Sequence, residues 1–145
     1  MEASATNILA GRLDSRAGSS PITAGLLPGY WVIQYLTAPD QLLFSGGEAL
    51  PAESVALAGR KGYYCAFSPL FMPERLRSRI KRLPVFAHPD EGLVILNAAG
   101  AAAVSQVFEL LLAEAGSQYD HKLDLMRIYV IQIIHFGLKN AGRSF

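Results

Sequence analysis

YDHKLDLMRIYVIQIIHFGLKNA, residues 119–141, predicts one long helix on which the rest of the chain is organised. The segment contains no proline, Asp120 stands near its start and Lys139 near its end, so capping and the helix dipole both favour a helix. At about 100° per residue, one apolar stripe forms along this helix. We expect the stripe to dock on the domain. Its members are Tyr119, Leu123, Met126, Val130, Ile133 and Ile134.

A second apolar strip lies beside this stripe and predicts a partner chain. Its members are Leu125, Tyr129 and Phe136, with Ile128 or Gln132 beside them. A helix that is apolar nearly all round is either buried in a large protein or shared between chains, and 145 residues are too few for the first case. We therefore predict a homodimer through this strip. Two alternatives stay open: the faces are exchanged, since the far side carries Ile131 and Leu138, or the preceding helix covers one strip.

Composition indicates one globular domain. Of the 145 residues, 51% are hydrophobic and the net charge is +1, which suits a chain with a real core and does not indicate a nucleic-acid surface. The most basic segment, PERLRSRIKRL, alternates its cations with Leu76, Ile80 and Leu83 as an amphipathic helix does. We interpret those cations as a solvated face in preference to a phosphate-binding patch. The N-terminus lacks the features of a secretory peptide, so a cytoplasmic location without membrane contact is expected.

Short apolar runs predict that residues 1–99 of this single domain form a meander, a sandwich or a small β-barrel with one short helix near 73–82, and that residues 100–145 form a helical dimerisation tail. The runs are NILAGRL, SPITAGL, YWVIQYL, QLLF, SVALA and GYYCAF, with GLVIL as a last strand. Turn residues such as Pro39-Asp40 and Ser45-Gly46-Gly47 separate them, as in a meander, a sandwich or a small barrel. In the tail, AAAVSQVFELLLAEA predicts a helix that forms a hairpin or a sharp corner with the long one.

Alternation along the central strands predicts burial on both faces. In YWVIQYL, one face carries Trp31, Ile33 and Tyr35, and the other carries Tyr30, Val32, Gln34 and Leu36. In GYYCAF, Tyr63, Cys65 and Phe67 oppose Tyr64 and Ala66. Strands that are apolar on both faces fit a β layer that helices cover outside and that encloses a core or a cavity. The predicted class is α+β, mainly β.

No catalytic residue, metal or cofactor is expected. The histidines His88, His121 and His135 have no metal-ligand spacing, and the serines lack a GxSxG elbow. Gly46-Gly47 lacks the surroundings of a phosphate loop. The single cysteine, Cys65, stands in an apolar run and is expected to be an inert core thiol. The chain is therefore not expected to be an enzyme.

The run GYYCAFSPLFMPERLRSRIKRLPVF resembles the N-terminal, cupin-like domains of AraC-type transcription regulators. In that family a glycine-aromatic strand ends in a Phe-Ser-Pro turn, and a short helix follows. LLPGYWVIQYLTAPDQLLF is similar to the family's Pro-Gly turn, apolar strand and second proline loop, and the two C-terminal helices are similar to its dimerising tail. The resemblance implies a small cupin-like β-barrel or sandwich followed by a C-terminal helical hairpin. Two features depart from the family: the strand series before the Pro-Gly turn is brief, and the residues after the long helix are too few for the family's helix-turn-helix domain.

The function that this resemblance implies is effector binding and dimerisation within a transcription regulator. It further implies a homodimer, a small-molecule effector, and DNA contact only through a helix-turn-helix domain outside this chain. Because pockets combine apolar walls with a few polar anchors, the expected ligand-binding residues are Trp31, Gln34, Tyr35, Tyr63 and Tyr64, although one face of each strand at most can point inward. Two alternatives stay open: a stand-alone metal-free cupin-like binding protein or enzyme, and a structural dimerisation module whose barrel is filled by its own side chains.

Overall fold

The structure is a computed structural model that describes residues 7–13, 29–46, 61–87 and 92–141. Its strands are β1 Ile8–Leu13, β2 Trp31–Leu36, β3 Gln41–Ser45, β4 Gly62–Phe67 and β5 Leu93–Ile95. They form one antiparallel sheet in the order β1-β4-β2-β3-β5. The strands predicted from NILAGRL, YWVIQYL, QLLF, GYYCAF and GLVIL are confirmed. The predicted strands SPITAGL and SVALA lie outside the described residues.

Helices follow the fourth strand, as predicted. They are a 3₁₀ turn Pro69–Phe71, α1 Glu74–Arg82, α2 Pro84–Ala87, α3 Ala98–Ala115 and α4 Lys122–Ala141. The α+β class is therefore confirmed. The expectation of a closed barrel or sandwich is not met by the described residues, whose sheet is open with β1 and β5 at opposite edges. The reason is the strand order, which leaves no pairing between those two strands.

Register in the ladders confirms the predicted alternation. Residues opposite each other in a ladder share a face, and Ile33 of β2 lies opposite both Phe44 of β3 and Cys65 of β4. This helix-covered face belongs to the main core and carries Trp31, Ile33, Tyr35, Leu42, Phe44, Cys65, Phe67 and Val94. The opposite side, the second face, carries Val32, Gln34, Leu36, Leu43, Ser45, Tyr64 and Ala66. Every residue of β2 is buried, so both faces of the central strand are covered.

Helix α4 docks on the core through the stripe that its periodicity predicts. Met126, Val130, Ile133 and Ile134 are each at most 3% exposed. Burying side chains of this size stabilises the fold by roughly 1.5–3 kcal/mol apiece. Gly137 continues the stripe, and a Cβ atom there would lie 2.4 Å from Cζ of Phe44, so the helix rests directly on that ring. The placement of Tyr119 on this stripe is wrong: the helix begins at Lys122, and Tyr119 is 53% exposed in the connection before it.

Helices α3 and α4 pack on each other across the short connection of residues 116–121. Lys122 strengthens the connection, because its Nζ donates to the carbonyls of Ala115 at 3.1 Å and Ser117 at 3.3 Å. Helix α3 begins three residues earlier than the sequence pattern indicated, since Oδ1 of Asn97 accepts from the backbone N–H of Gly100 at 2.7 Å and caps the first turn. By length and composition alone α3 would also qualify as a membrane span, a criterion that core helices of soluble proteins meet as well.

Two arginines hold the turn that follows β4. Arg77 of α1 donates to the carbonyl oxygens of Pro69 at 2.9 Å and Met72 at 3.2 Å. Arg127 of α4 donates to the carbonyl oxygen of Phe71 at 2.5 Å, and its guanidinium carbon lies 5.0 Å from the centre of the Phe71 ring. A guanidinium group carries several N–H donors in a fixed planar fork, so Arg77 can hold two carbonyl groups at once. The turn is therefore attached to both helices, and the orientation of α1 is set by it.

Candidate functional site

The structure divides the five predicted ligand-binding residues between the two faces of the sheet. Trp31, Tyr35 and Tyr63 lie on the helix-covered face. Gln34 and Tyr64 lie opposite each other on the second face. One cavity therefore cannot contain all five.

Aromatic packing explains what the three residues on the helix-covered face do. Trp31 is 5% exposed and packs between Phe67 and Phe86, with ring centroids 5.5 and 5.8 Å away. Tyr63 lies between Tyr35 and a phenylalanine of α3, Phe108, in a stack with centroid distances of 6.0 and 5.3 Å. Such contacts add to the apolar burial of each ring. On this face the predicted pocket residues fill the core.

The polar end of this stack is a cluster of Arg12, Tyr63 and Glu109, here called the Arg12–Tyr63–Glu109 cluster. Arg12 of β1 donates to Oε1 of Glu109 at 2.6 Å, and the Tyr63 hydroxyl donates to Oε2 of the same carboxylate. The Arg12 guanidinium also lies over the Tyr63 ring, 5.8 Å from its centre. Sequence reasoning missed this cluster, because Arg12 and Glu109 are 97 residues apart and no local pattern connects them.

Shifts in pKa within the cluster follow from these hydrogen bonds. The bonds that Glu109 accepts from Tyr63 and Arg12 lower the pKa of its carboxyl group, and the bond to Glu109 raises the pKa of Tyr63. Burial, together with a hydrogen bond to Asp40 at 3.0 Å, raises the pKa of Tyr35 to about 12. The carboxylate stays ionised and both phenols stay neutral near pH 7. The cluster thus offers no activated nucleophile; it connects β1, β4 and α3.

The remaining nucleophile of the core is Cys65. It is fully buried on the helix-covered face, and burial raises the pKa of its thiol to about 12. A thiol so far from ionisation at neutral pH does not react readily. The predicted place of Cys65 in the core is confirmed, and its low reactivity stays a prediction.

Apolar side chains surround a few polar groups on the second face. Its buried apolar residues are Val32, Leu36, Leu43 and Ala66. Among them the side chain of Gln34 is only 3% exposed. Half-buried Tyr64 lies over β1, because a Cβ atom on Gly11 would come within 2.8 Å of the Tyr64 ring, and burial raises the pKa of its phenol. An apolar surface with an amide and a phenol is the composition expected of a small-molecule wall.

Ser45 adds a third polar group to the second face. It is 5% exposed, and its Oγ is buried without a hydrogen-bond partner, which holds for no other side-chain atom in the described ranges. An unmade hydrogen bond of a buried hydroxyl costs about 1–3 kcal/mol. The sequence reading of Ser45 as a turn residue is wrong: it is the last residue of β3, opposite Val32, because the ladder with β2 extends to it. Ser45 follows Leu43 by two residues, and residues two apart in a strand lie on the same face. This alternation is the sequence signal that could have placed Ser45 on the second face.

The residues of the predicted dimer strip on α4 differ in their exposure. Tyr129 and Phe136 are half-buried and pack against the main core, as do Ile131 and Leu138 on the other flank. Leu125 is also half-buried, whereas Ile128 is 53% exposed and Gln132 is exposed. Around Ile128 the outward side of the helix is polar, with Asp124, His135 and Lys139 exposed. The apolar area left for a partner is therefore narrower than the sequence indicated.

Comparison with known proteins adds no assignment to this geometry. No family model, no curated protein and no solved structure matches the chain. Within the described ranges, no three His, Cys, Asp or Glu residues are placed to hold a metal ion. The second face with Gln34, Ser45 and Tyr64 is the candidate site that the structure itself provides.

Proposed function

We propose that this chain is the ligand-sensing and dimerisation domain of an AraC-type transcription regulator that works in the cytoplasm. In this proposal the second face is one wall of a cupin-like ligand cavity. The observation that carries it is the unsatisfied Ser45 hydroxyl, diagonal to buried Gln34 across the β2–β3 ladder. A hydroxyl, carbonyl or carboxylate of a ligand would supply the missing hydrogen bond. The resemblance of residues 62–71 to that family supports the regulatory role.

The two faces of the sheet have different parts in this function. Gln34 and Tyr64, two of the predicted ligand-binding residues, stand on the ligand wall with Ser45. Trp31, Tyr35 and Tyr63 pack in the core behind the wall and hold its strands in place. Substitutions behind the wall should therefore lower stability first and ligand binding only as a consequence.

Ser45→Ala tests the ligand wall. The melting temperature of the chain is measured with a panel of monosaccharides and small carboxylic acids, which carry the groups that pair with a hydroxyl. We expect at least one compound to raise the melting temperature of the unmodified chain. The variant should melt at the same or a higher temperature without ligand, because its unpaired hydroxyl is gone, and should bind the compound roughly threefold to tenfold more weakly.

Ser78→Ala is the matched control, since Ser78 is an exposed serine of α1 and should leave the shift unchanged. A panel without any effect, or a Ser45→Ala variant with the full shift, contradicts the ligand wall. The alternative function, a stand-alone metal-free binding protein, is supported by the same unsatisfied Ser45 hydroxyl. The reading frame distinguishes the two functions, because two helix-turn-helix units encoded after residue 145 are expected for the regulator alone.

A further inference from the structure

Helix α1 presents three arginines in one row, here called the basic row. Arg75, Arg79 and Arg82 are spaced i, i+4 and i+7, so they follow one another along the same side of the helix, and all three are exposed. With about 1.5 Å of rise per residue, the row is roughly 10 Å long. Lys81 is also exposed on this short helix. Together with Arg77, α1 carries five of the 13 Lys and Arg residues of the chain.

Packing of α1 determines that this row faces outward. Ile80 is 4% exposed in the main core, and Leu76 and Leu83 pack against the same core. Arg77 lies outside the row and is bound to the carbonyls of the 3₁₀ turn. The apolar side of α1 and Arg77 therefore attach the helix to the domain, and the remaining cations of α1 are exposed to solvent.

The cations of the basic row lack acidic partners within the part of the chain that the structure describes. Other arginines there are paired: Arg12 with Glu109 and Arg127 with Asp124, each at 2.6 Å. Glu74 is the single acidic residue of α1, and it makes no ion pair with the row in the described ranges. Positive charge is thus concentrated locally, although the net charge of the whole chain is only +1.

We propose that the basic row binds the phosphodiester backbone of a nucleic acid. Arginine matches phosphate oxygens with two parallel N–H donors, and repeated charges along a line suit a repeated phosphate. A membrane surface fits less well, because the apolar side of α1 is turned into the core and cannot enter a lipid layer. An acidic protein would normally need an apolar or aromatic anchor, which the row lacks. Leu70, 70% exposed in the preceding turn, is one side chain and not a face.

Backbone binding of this kind is independent of sequence and sensitive to salt. Three neutralised phosphates predict that the logarithm of the binding constant falls with the logarithm of the salt concentration with a slope of about −2.7. The interaction is weak at physiological salt and serves to position the protein on a nucleic acid. It goes beyond the ligand-sensing role proposed above and does not depend on it. It also differs from the sequence interpretation of these cations as a solvated face and from the expectation that DNA is contacted only outside this chain.

Two double variants test the basic row at equal charge. Arg79→Gln with Arg82→Gln removes two positive charges from the row, and Lys61→Gln with Lys139→Gln removes two exposed ones elsewhere. Fluorescence anisotropy of short labelled duplexes, one of DNA and one of RNA, gives the binding constant over a series of salt concentrations. The first variant should bind at least roughly tenfold more weakly at low salt and lose about two units of slope, whereas the second should retain most of the slope.

Binding of either duplex with this difference supports the proposal, and the two duplexes show which nucleic acid is preferred. Equal losses in both variants, or no binding of the unmodified chain at low salt, overturn it. Polyglutamate or anionic phospholipid vesicles bound as tightly as the duplexes, with the same loss in the first variant, would assign the row to another partner. Circular dichroism melts of both variants confirm that the fold is retained.

Discussion

Gly137 is a residue whose smallness allows an element to dock. Helix α4 approaches the sheet so closely at this position that a methyl group would overlap the ring of Phe44. That ring cannot move freely, because it is 3% exposed and meets Phe86 edge-on at 5.4 Å. A glycine within a helix lowers the stability of the helix by up to about 1 kcal/mol relative to alanine. The close packing at Gly137 therefore opposes a known cost in helix propensity.

Gly137→Ala is expected to destabilise the protein by about 1 kcal/mol. Overpacking a buried contact costs about 1–3 kcal/mol, which exceeds the gain in helix propensity. Urea unfolding followed by circular dichroism measures the difference. Gly116→Ala is the control, because the nearest atom to an added Cβ there is 3.9 Å away and Gly116 has a negative φ. The docking argument fails if Gly137→Ala is as stable as the unmodified chain.

At the scale of elements, the Arg12–Tyr63–Glu109 cluster holds an edge strand in place. Within the described residues strand β1 pairs with β4 alone, and edge strands open more easily than central ones. Glu109 of α3 reaches both β1 and β4 through Arg12 and Tyr63. All three groups lie near solvent, so the cluster positions the strand more than it stabilises the whole fold.

Glu109→Gln should release β1. We expect faster hydrogen exchange in residues 8–13 at neutral pH, measured by mass spectrometry, with little change in the central strands. Because the pKa of Glu109 is lowered in the fold, its contribution to stability is present above its unfolded pKa and is lost as the pH falls through the folded value. The Glu109→Gln variant should therefore lack this loss of stability at acidic pH.

Glu114→Gln, in the last turn of the same helix, provides the comparison for β1. Its carboxylate accepts from Ser117 at 2.7 Å and has no contact with the edge strand in the described part of the chain. If both variants change exchange in residues 8–13 to the same extent, the assignment of the cluster to β1 is wrong.

For the whole molecule, the proposed dimer now rests on the middle of the outward side of α4. A charge at Tyr129 or Phe136, two members of the predicted strip, would test the interface cleanly only if these side chains were free of the core. Both side chains pack against the core, so a charge there would also disturb folding. Ile128, 53% exposed, is the position where the two effects can be separated.

Ile128→Glu is expected to convert the proposed dimer to a monomer that keeps the circular dichroism spectrum of the folded chain. A two-fold interface brings the same residue from both chains to one surface, so each dimer would bring together two like charges as well as losing two apolar side chains. Sedimentation equilibrium at micromolar concentration measures the mass. Gln106→Glu, on the exposed side of α3, should leave the mass unchanged. An unmodified chain that sediments as a monomer rules out this interface.

The sequence alone determined the features that depend on local periodicity. The period of α4 predicted the buried positions Met126, Val130 and Ile133, and the alternation of β2 and β4 predicted which residues share a face. These predictions succeed because side-chain direction repeats with the backbone geometry of each element. The burial of Cys65 followed from the same alternation.

Tertiary structure alone decided which surfaces cover one another. Strand order leaves the described sheet open. The packing of the elements places Tyr129 against the core, joins Arg12 to a carboxylate 97 residues away and buries the Ser45 hydroxyl without a partner. None of these has a local signal, because each depends on segments far apart in the chain. Period and alternation specify a direction for each side chain, whereas what lies in that direction is set by how the elements pack.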